Sequence, residues 1–353
     1  MYQNNYKITD DGFGVHTFEL TIPSITRKEF ERISNNAEKK YACNNGNRIC
    51  IYSRQKGIRI YLNHTDLNFY NIKVIVALRQ LIDCDAEAVS IFSESDDIDL
   101  LEEMLNDVFE THLGKEYTVD SFSLSRVDLC VNIMLSETFS AERYVKLIKR
   151  SMIYNDNAEI ITFPEDVPEA SEKNKHSFRI NTGCTTFTAY DKYFQLEDIG
   201  ENYEAVSESL LRLELAINRD MLREMKNVLS NDICNIEMLG YMAFTSRTWF
   251  EEYIKKHFLP GDYYYLSNMK TAIERSMLST KLKNRMLEYS DIKWGKRSFT
   301  AVQNEILKQL GSDYKMKKMF NAFKCLDVYP ISLAYRDKHG EKAVPGLYKI
   351  FKL

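Results

Sequence analysis

Hydrophobic and polar residues alternate over several short stretches of the first 220 residues, the pattern of strands with one buried face. This alternation predicts the following strands: Val15–Ile22, Arg48–Ser53, Gly57–Asn63, Ser121–Met134, Ser177–Asn181, Thr185–Lys192 and Leu210–Asn218. The turn-like segments 54–56 and 182–184 each separate two of these stretches, which indicates two hairpins. The stretch 71–82 is apolar throughout, so the pattern leaves strand and helix open there.

Apolar residues also recur at helical spacing. After the N-cap signal at 95–97, such residues at Ile98, Leu101 and Leu105 predict a helix. Beyond residue 220 helices predominate, with the clearest patterns over 299–310 and 314–325. We therefore predict an α+β fold in which residues 1–220 form an antiparallel central sheet with helices. Residues 221–353 are predicted to form a second, mostly helical domain.

The charge of the chain is distributed unevenly. The net charge is −4, yet residues 255–353 contain 20 Lys and Arg against 9 Asp and Glu. A basic segment attached to an acidic body is typical of a polyanion-binding arm. Two helices separated by Gly311 and followed by a strand-like segment are compatible with a helix-turn-helix or winged-helix module. The candidate DNA-binding residues of this module are Lys293, Lys296, Arg297, Lys315, Lys317 and Lys318.

Cysteine usage and hydropathy exclude several classes of protein. The seven cysteines form no CxxC pair and are odd in number, so zinc ribbons and disulfide frameworks are not expected. No apolar run approaches the roughly 18 residues that a membrane span requires. The first residues lack the basic start and apolar stretch of a signal peptide. A cytoplasmic protein without a membrane partner is expected.

Three of the predicted strands have an apolar face and a face of reactive polar residues, because side chains alternate along a strand. The first, within 121–134, places Arg126, Asp128 and Asn132 opposite its apolar residues. The second and third have polar faces that contain the following residues: Arg212 and Glu214 on 210–218, and Thr186, Thr188, Tyr190 and Lys192 on 185–192. If the three strands share a sheet, these polar residues lie on one surface.

Such a surface suits phosphodiester chemistry. Carboxylates on adjacent strands can chelate Mg²⁺ or Mn²⁺, which prefer oxygen ligands. A tyrosine can attack the polarised phosphorus. Lys192 can lower the pKa of the phenol or stabilise the negative charge that develops in the transition state. Arg126 and Arg212 can hold flanking phosphates. The alternative is that these residues form ordinary cross-strand ion pairs and that Tyr190 is one of 22 tyrosines without a special role.

The segments SRVDLCVNI (125–133), TTFTAYDKYFQLED (185–198) and LRLELAINR (211–219) resemble the rolling-circle replication initiators of phages and plasmids, and the related relaxases. FKCLDVYPISL (323–333) is similar to the tail of such proteins. The resemblance implies a five-stranded antiparallel sheet of the HUH or relaxase type. It also implies an endonuclease that nicks single-stranded or supercoiled origin DNA, forms a 5′-phosphotyrosine and later rejoins the strand, with a host helicase and polymerase as partners.

By position, the resemblance makes Asp128 and Glu214 ligands of Mg²⁺ or Mn²⁺ and Tyr190 the nucleophile, with Tyr193 as the rival. The paired histidines of many such nucleases are absent, since all six histidines are isolated. His64 is then a candidate third ligand. Two other hypotheses remain: a DNA-binding or regulatory protein of the same fold without activity, and a hydrolase or scaffold unrelated to DNA.

Overall fold

A computed structural model describes residues 6–37, 41–43, 47–53, 57–65, 69–82, 90–93, 98–136, 139–154, 157–164, 166–200, 206–230, 232–294, 299–333 and 343–353. Its strands are β1 (Lys7–Ile25), β2 (Tyr41–Cys43), β3 (Arg48–Ser53), β4 (Ile58–His64), β5 (Tyr70–Ala77), β6 (Ser123–Met134), β7 (Glu159–Ile161), β8 (Ser177–Asn181), β9 (Thr185–Asp191), β10 (Leu210–Asn218), β11 (Tyr263–Tyr264) and β12 (Ala343–Val344). Its α-helices are α1 (Arg27–Asn36), α2 (Leu78–Ile82), α3 (Ile98–His112), α4 (Ala141–Ser151), α5 (Ala170–His176), α6 (Lys192–Asp198), α7 (Arg219–Leu229), α8 (Asn235–His257), α9 (Leu266–Arg275), α10 (Thr280–Trp294), α11 (Phe299–Leu310), α12 (Asp313–Cys325) and α13 (Leu347–Phe351).

One large antiparallel sheet organises the fold, which is α+β as predicted. Within the described ranges it contains ten strands in the order β2–β3–β4–β5–β1–β6–β10–β9–β8–β7. The sheet is wider than the five strands that the resemblance implied, because β1 pairs with β5 along one edge and β6 along the other. The long first strand thereby joins the hairpins before residue 77 to the strands after residue 123.

The two faces of the sheet differ as the alternation predicted. Leu211, Leu213, Leu215 and Ile217 of β10 are all buried on the face that α4, α7 and α8 cover. The corresponding residues of the neighbouring strands join the same hydrophobic core. Burial of this apolar surface is the main stabilising contribution to such a layered fold. The polar residues are left on the opposite face.

The stretch 71–82, which the pattern left open, divides into a strand and a helix. Ile72, Val74 and Val76 are buried residues of β5, which pairs with β1 and β4. A strand with neighbours on both sides tolerates a nearly continuous apolar sequence. At Leu78 the chain turns into α2, where Leu78 and Leu81 are buried three residues apart.

The helices after residue 220 belong to two different cores. Residues of α8 and α13, such as Phe250 and Phe351, pack in the core of the sheet. A second core lies among α9–α12 and contains Met269, Met286 and Phe323. The predicted boundary at residue 220 therefore does not separate the two cores. The reason is that α8 is apolar enough along its length to cover β1 and β6.

Candidate functional site

The three strands with reactive polar residues, β6, β10 and β9, are neighbours in the sheet, and β1 lies beside β6. Strand β6 pairs with β10, and β10 pairs with β9, all antiparallel. In the register, Glu214 lies opposite Cys130 and Thr188, while Arg212 lies opposite Asn132 and Tyr190. Diagonal neighbours on adjacent strands are within reach of long side chains. The register therefore brings the polar residues of 126–132, 186–190 and 212–214 together on one surface.

The centre of this surface is the contact between Tyr190 and Glu214. The Tyr190 hydroxyl donates a hydrogen bond to Glu214 Oε1 at 2.6 Å. Burial raises the pKa of Tyr190 well above its ordinary value, and the charge of Glu214 raises it further, while Arg212 opposes the shift. The phenol is therefore protonated at neutral pH, and its proton is held by a carboxylate.

Two buried cations lie close to this pair. Arg212 is completely buried, and its Nε donates to Asn132 Oδ1 at 2.7 Å. Lys192 is only 3% exposed, and its Nζ donates to Gln195 Oε1 at 2.7 Å. The Lys192 Nζ lies 6.0 Å from the centre of the Tyr190 ring. Both predicted cations thus neighbour the phenol, and Arg212 is a buried part of the site rather than an exposed phosphate ligand.

Tyr193 occupies a different element from Tyr190. Strand β9 ends at Asp191, whose side chain accepts a hydrogen bond from the Phe194 backbone amide and caps α6. Tyr193 is the second residue of that helix. It therefore does not share the strand face with Tyr190 and Glu214.

Asp128 lies at the other end of the surface, where both of its carboxylate oxygens accept hydrogen bonds. Its Oδ1 accepts from Arg126 Nε at 2.6 Å, and its Oδ2 accepts from the Thr17 hydroxyl at 2.5 Å. Only 7% of the residue is exposed. Burial raises the pKa of Asp128 to about 6, Arg126 opposes this shift, and Glu214 adds to it. The two predicted carboxylates are thus close enough to influence each other's charge.

The raised pKa of Asp128 predicts a pH-dependent stability. The folded state binds the Asp128 proton more tightly than the unfolded chain does. The protonated side chain therefore stabilises the folded state at low pH, and this stabilisation is lost as the pH rises through about 6. We expect Asp128→Asn to gain about 2 kcal/mol in free energy of unfolding relative to wild type between pH 4 and pH 7. Urea titrations at several pH values measure the difference, and parallel curves for the two proteins would contradict it.

His16 is a site residue that the sequence analysis missed. The β1–β6 register shifts between Val15 and Thr17, so His16 is the extra residue of a β-bulge. Burial lowers the pKa of His16 well below its ordinary value, and the charges of Arg212 and Lys192 lower it further. A neutral imidazole therefore joins the two cations beside Tyr190. Sequence alternation alone does not reveal a bulge, and Gly12 and Gly14 precede the predicted strand Val15–Ile22, so they gave no sign of one within it.

His64 lies far from the two carboxylates. It ends β4 and pairs with Tyr70, at the opposite end of β5 from Ala77, which in turn pairs with Thr17 beside Asp128. The length of β5 places His64 roughly 20 Å along the strands from that register position. Its ring packs against Phe30 and Tyr70. The structure does not bring His64 together with Asp128 and Glu214.

The carboxylates in this arrangement do not fit a divalent metal ion. Both oxygens of Asp128 accept hydrogen bonds, and Glu214 Oε1 is held by Tyr190. Burial raises the pKa of the adjacent Cys130 to about 12, so its thiol is not an available thiolate ligand. Among the residues that the structure describes, no group of three or more His, Cys, Asp or Glu side chains is placed to hold a metal ion.

The basic candidates of the C-terminal region lie mainly on α12. Met316, Met319 and Phe323 of this helix are buried with Ile306 of α11, which leaves Lys315, Lys317 and Lys318 exposed. Gly311, with φ +61°, ends α11 in the left-handed conformation that favours glycine. Lys293 lies in α10, of whose last turn only the backbone is described. Lys296 and Arg297 lie outside the described residues.

No protein-family model matches the chain, and no curated protein has a significantly similar sequence. In the part of the chain that the structure describes, no helix combines the length and apolar character needed to cross a membrane.

Proposed function

We propose that the chain nicks and rejoins single-stranded DNA through Tyr190, as an initiator of rolling-circle replication. The observation that carries the proposal is the 2.6 Å hydrogen bond from the Tyr190 hydroxyl to Glu214. A phenol with a strongly raised pKa is a poor nucleophile unless a base removes its proton during attack. Glu214 is in position to be that base.

In the proposed reaction the Tyr190 oxygen bonds to phosphorus while its proton passes to Glu214. The bond from phosphorus to the 3′ oxygen breaks, and the departing oxygen takes a proton from water. A 5′-phosphotyrosine and a free 3′-OH result, and the reverse reaction rejoins the strand. Arg126, whose side chain is 34% exposed, is the cation best placed to meet an incoming phosphate. No step is assigned to a metal ion, because the carboxylates do not fit one.

Binding of the duplex origin is proposed for the basic C-terminal helices. The exposed residues of α12 include four lysines and Tyr314, which is 73% exposed. A second helix after a short turn is the element that enters the major groove in helix-turn-helix and winged-helix proteins. The free 3′-OH would serve as the primer for a host polymerase, with a host helicase opening the duplex.

Covalent adduct formation tests this proposal. The protein is incubated with a 3′-labelled single-stranded oligonucleotide library, because the fragment that stays on the tyrosine retains the 3′ end. Reactions with Mg²⁺, Mn²⁺ and EDTA are separated on a denaturing gel. We expect a labelled adduct with wild type and Tyr193→Phe, and at least a 1000-fold loss with Tyr190→Phe, which lacks the nucleophile. An undiminished adduct in Tyr190→Phe would refute the assignment.

A second candidate function is DNA binding without cleavage. It is favoured by Asp128, whose two oxygens are closed in contacts with Arg126 and Thr17. Such a closed pair is a structural element and not a reactive group. Affinity for the oligonucleotide in a binding titration, without any adduct on the denaturing gel, would support this candidate over the first.

A further inference from the structure

A second feature of the polar sheet face is a groove over β1 and β3–β6. Its volume is about 520 Å³, and its lining includes Arg48, Asn63, Asn71, Lys73, Glu19 and Ser125. Two cations, three amides, two hydroxyls and one carboxylate line the groove, and the cations and amides suit a ligand with phosphate groups and hydrogen-bonding edges. Neither Asp128 nor Tyr190 lines this groove, so it is distinct from the reactive surface.

Arg48 is held in place before any ligand binds. Its Nε donates to Asn63 Oδ1 at 2.7 Å, and its guanidinium lies 4.9 Å from the centre of the Tyr61 ring. Asn63 in turn donates to Asn71 Oδ1 at 2.6 Å. These contacts restrain the side chain but use only the Nε–H of its five donors. A restrained guanidinium of this kind loses little entropy when it binds a phosphate in bidentate fashion.

A chain of ionic contacts joins the groove to the reactive surface. Lys73 Nζ lies 2.7 Å from Glu19 Oε2, and Glu19 Oε1 lies 3.9 Å from Arg126 Nη1. Arg126 then contacts Asp128. Cations thus recur from Arg48 through Lys73 to Arg126 across one sheet face. An extended polyanion lying across this face would contact more than one of these cations.

We propose that the groove binds the phosphodiester backbone of a single DNA strand whose next nucleotides lie on the Tyr190 surface. The identification of the strand as DNA rests on the proposed function. The choice of a single strand over a duplex also rests on the proposed function, in which Tyr190 attacks single-stranded DNA. Arg48 and Lys73 neutralise phosphates, while the side-chain amides are suited to base edges.

Fluorescence anisotropy with a short fluorescein-labelled single-stranded DNA oligonucleotide tests the groove. The oligonucleotide is one that forms no covalent adduct in the gel assay, so that binding is measured without cleavage. We expect Arg48→Ala and Lys73→Ala each to weaken binding about tenfold. Each should also reduce the salt dependence of log K by about 0.7, since one cation is removed from a single-strand complex. Arg48→Lys keeps the charge without the planar fork and should fall between wild type and Arg48→Ala.

The matched control is Arg223→Ala. Arg223 lies on α7, the helix that packs on the apolar face of the sheet, and its side chain is 71% exposed. It removes one positive charge far from the groove and should change affinity less than twofold. Circular dichroism and thermal unfolding of each variant check that the fold is kept. Wild-type affinity and salt dependence in both folded groove variants would overturn the proposal, as would an absence of binding by wild type.

Two further measurements distinguish a strand-binding groove from a mononucleotide site and from a failure of the nicking proposal. If dAMP competes as well as the oligonucleotide at equal concentration, the groove is a mononucleotide site and the strand assignment is overturned. Groove-dependent binding without any covalent adduct would leave this inference standing while the nicking proposal fails.

Discussion

Replacing the buried Arg212 with methionine is expected to lower the free energy of unfolding by about 3–5 kcal/mol, because it breaks a buried polar and ionic network. Arg212 is completely buried, and its Nε satisfies Asn132 Oδ1. Without it, the Asn132 oxygen loses its donor, and Glu214 loses a cation that offsets its charge. Methionine has no donor to replace either interaction. Urea unfolding followed by circular dichroism measures the loss.

Arg179→Met is the matched control for this variant. Arg179 lies on β8, two strands from β10 in the same sheet, but it is exposed. The same substitution there should change the free energy of unfolding by less than about 0.5 kcal/mol. If Arg212→Met is as stable as wild type, the desolvation of the guanidinium balances its interactions, and the buried charge network contributes no net stability.

Gly14→Ala is expected to cost about 2–4 kcal/mol through lost backbone hydrogen bonds and strain. A Cβ at position 14 would lie 2.0 Å from the Phe92 carbonyl oxygen, so β1 and the segment at Phe92 must separate. Val15 and Phe92 exchange two backbone hydrogen bonds at this point, at 2.8 and 3.1 Å. The movement would also displace the bulge at His16, so the variant should lose both stability and any Tyr190 adduct.

Gly240→Ala separates steric conflict from the general effect of adding a methyl group. Gly240 lies within α8, and a Cβ there meets nothing within 4 Å. Alanine should therefore stabilise the protein by up to about 1 kcal/mol, since glycine is unfavourable in a helix interior. Thermal unfolding compares the two variants. A similar change in melting temperature for both would show that Phe92 does not restrict position 14.

The sequence was sufficient to predict the composition of the two sheet faces. Because side chains alternate strictly along a strand, Leu211 and Leu213 had to face away from Arg212 and Glu214. The same rule predicted β6, β8, β9 and β10 with nearly correct ends. The helices α11 and α12 followed from apolar spacing in the same way. These are local properties that do not depend on which strands become neighbours.

The groove and the bulge could not be predicted from the sequence, for two physical reasons. No sequence pattern predicts that β1 pairs with both β5 and β6. This pairing places Glu19 of β1 between Lys73 of β5 and Arg126 of β6, so that Glu19 contacts both. The position of His16 depends on one inserted residue, which reverses the faces of Phe13, Gly14 and Val15 relative to the residues that follow it. Pairing partners are chosen by contacts distant in sequence, which no short pattern contains.

The polar, reactive residues of β6, β9 and β10, and the face of the strand on which each one lies, could thus be predicted from the order of amino acids. Three features depended on the folded arrangement: the hydrogen bond from the Tyr190 hydroxyl to Glu214, the contact of Asp128 with Arg126, and the distance of His64 from both carboxylates. The reason is that side-chain direction follows from local backbone geometry, whereas contacts across strands follow from register. A slip of two residues between β9 and β10 would have kept the apolar and polar faces of both strands and separated the phenol from its carboxylate.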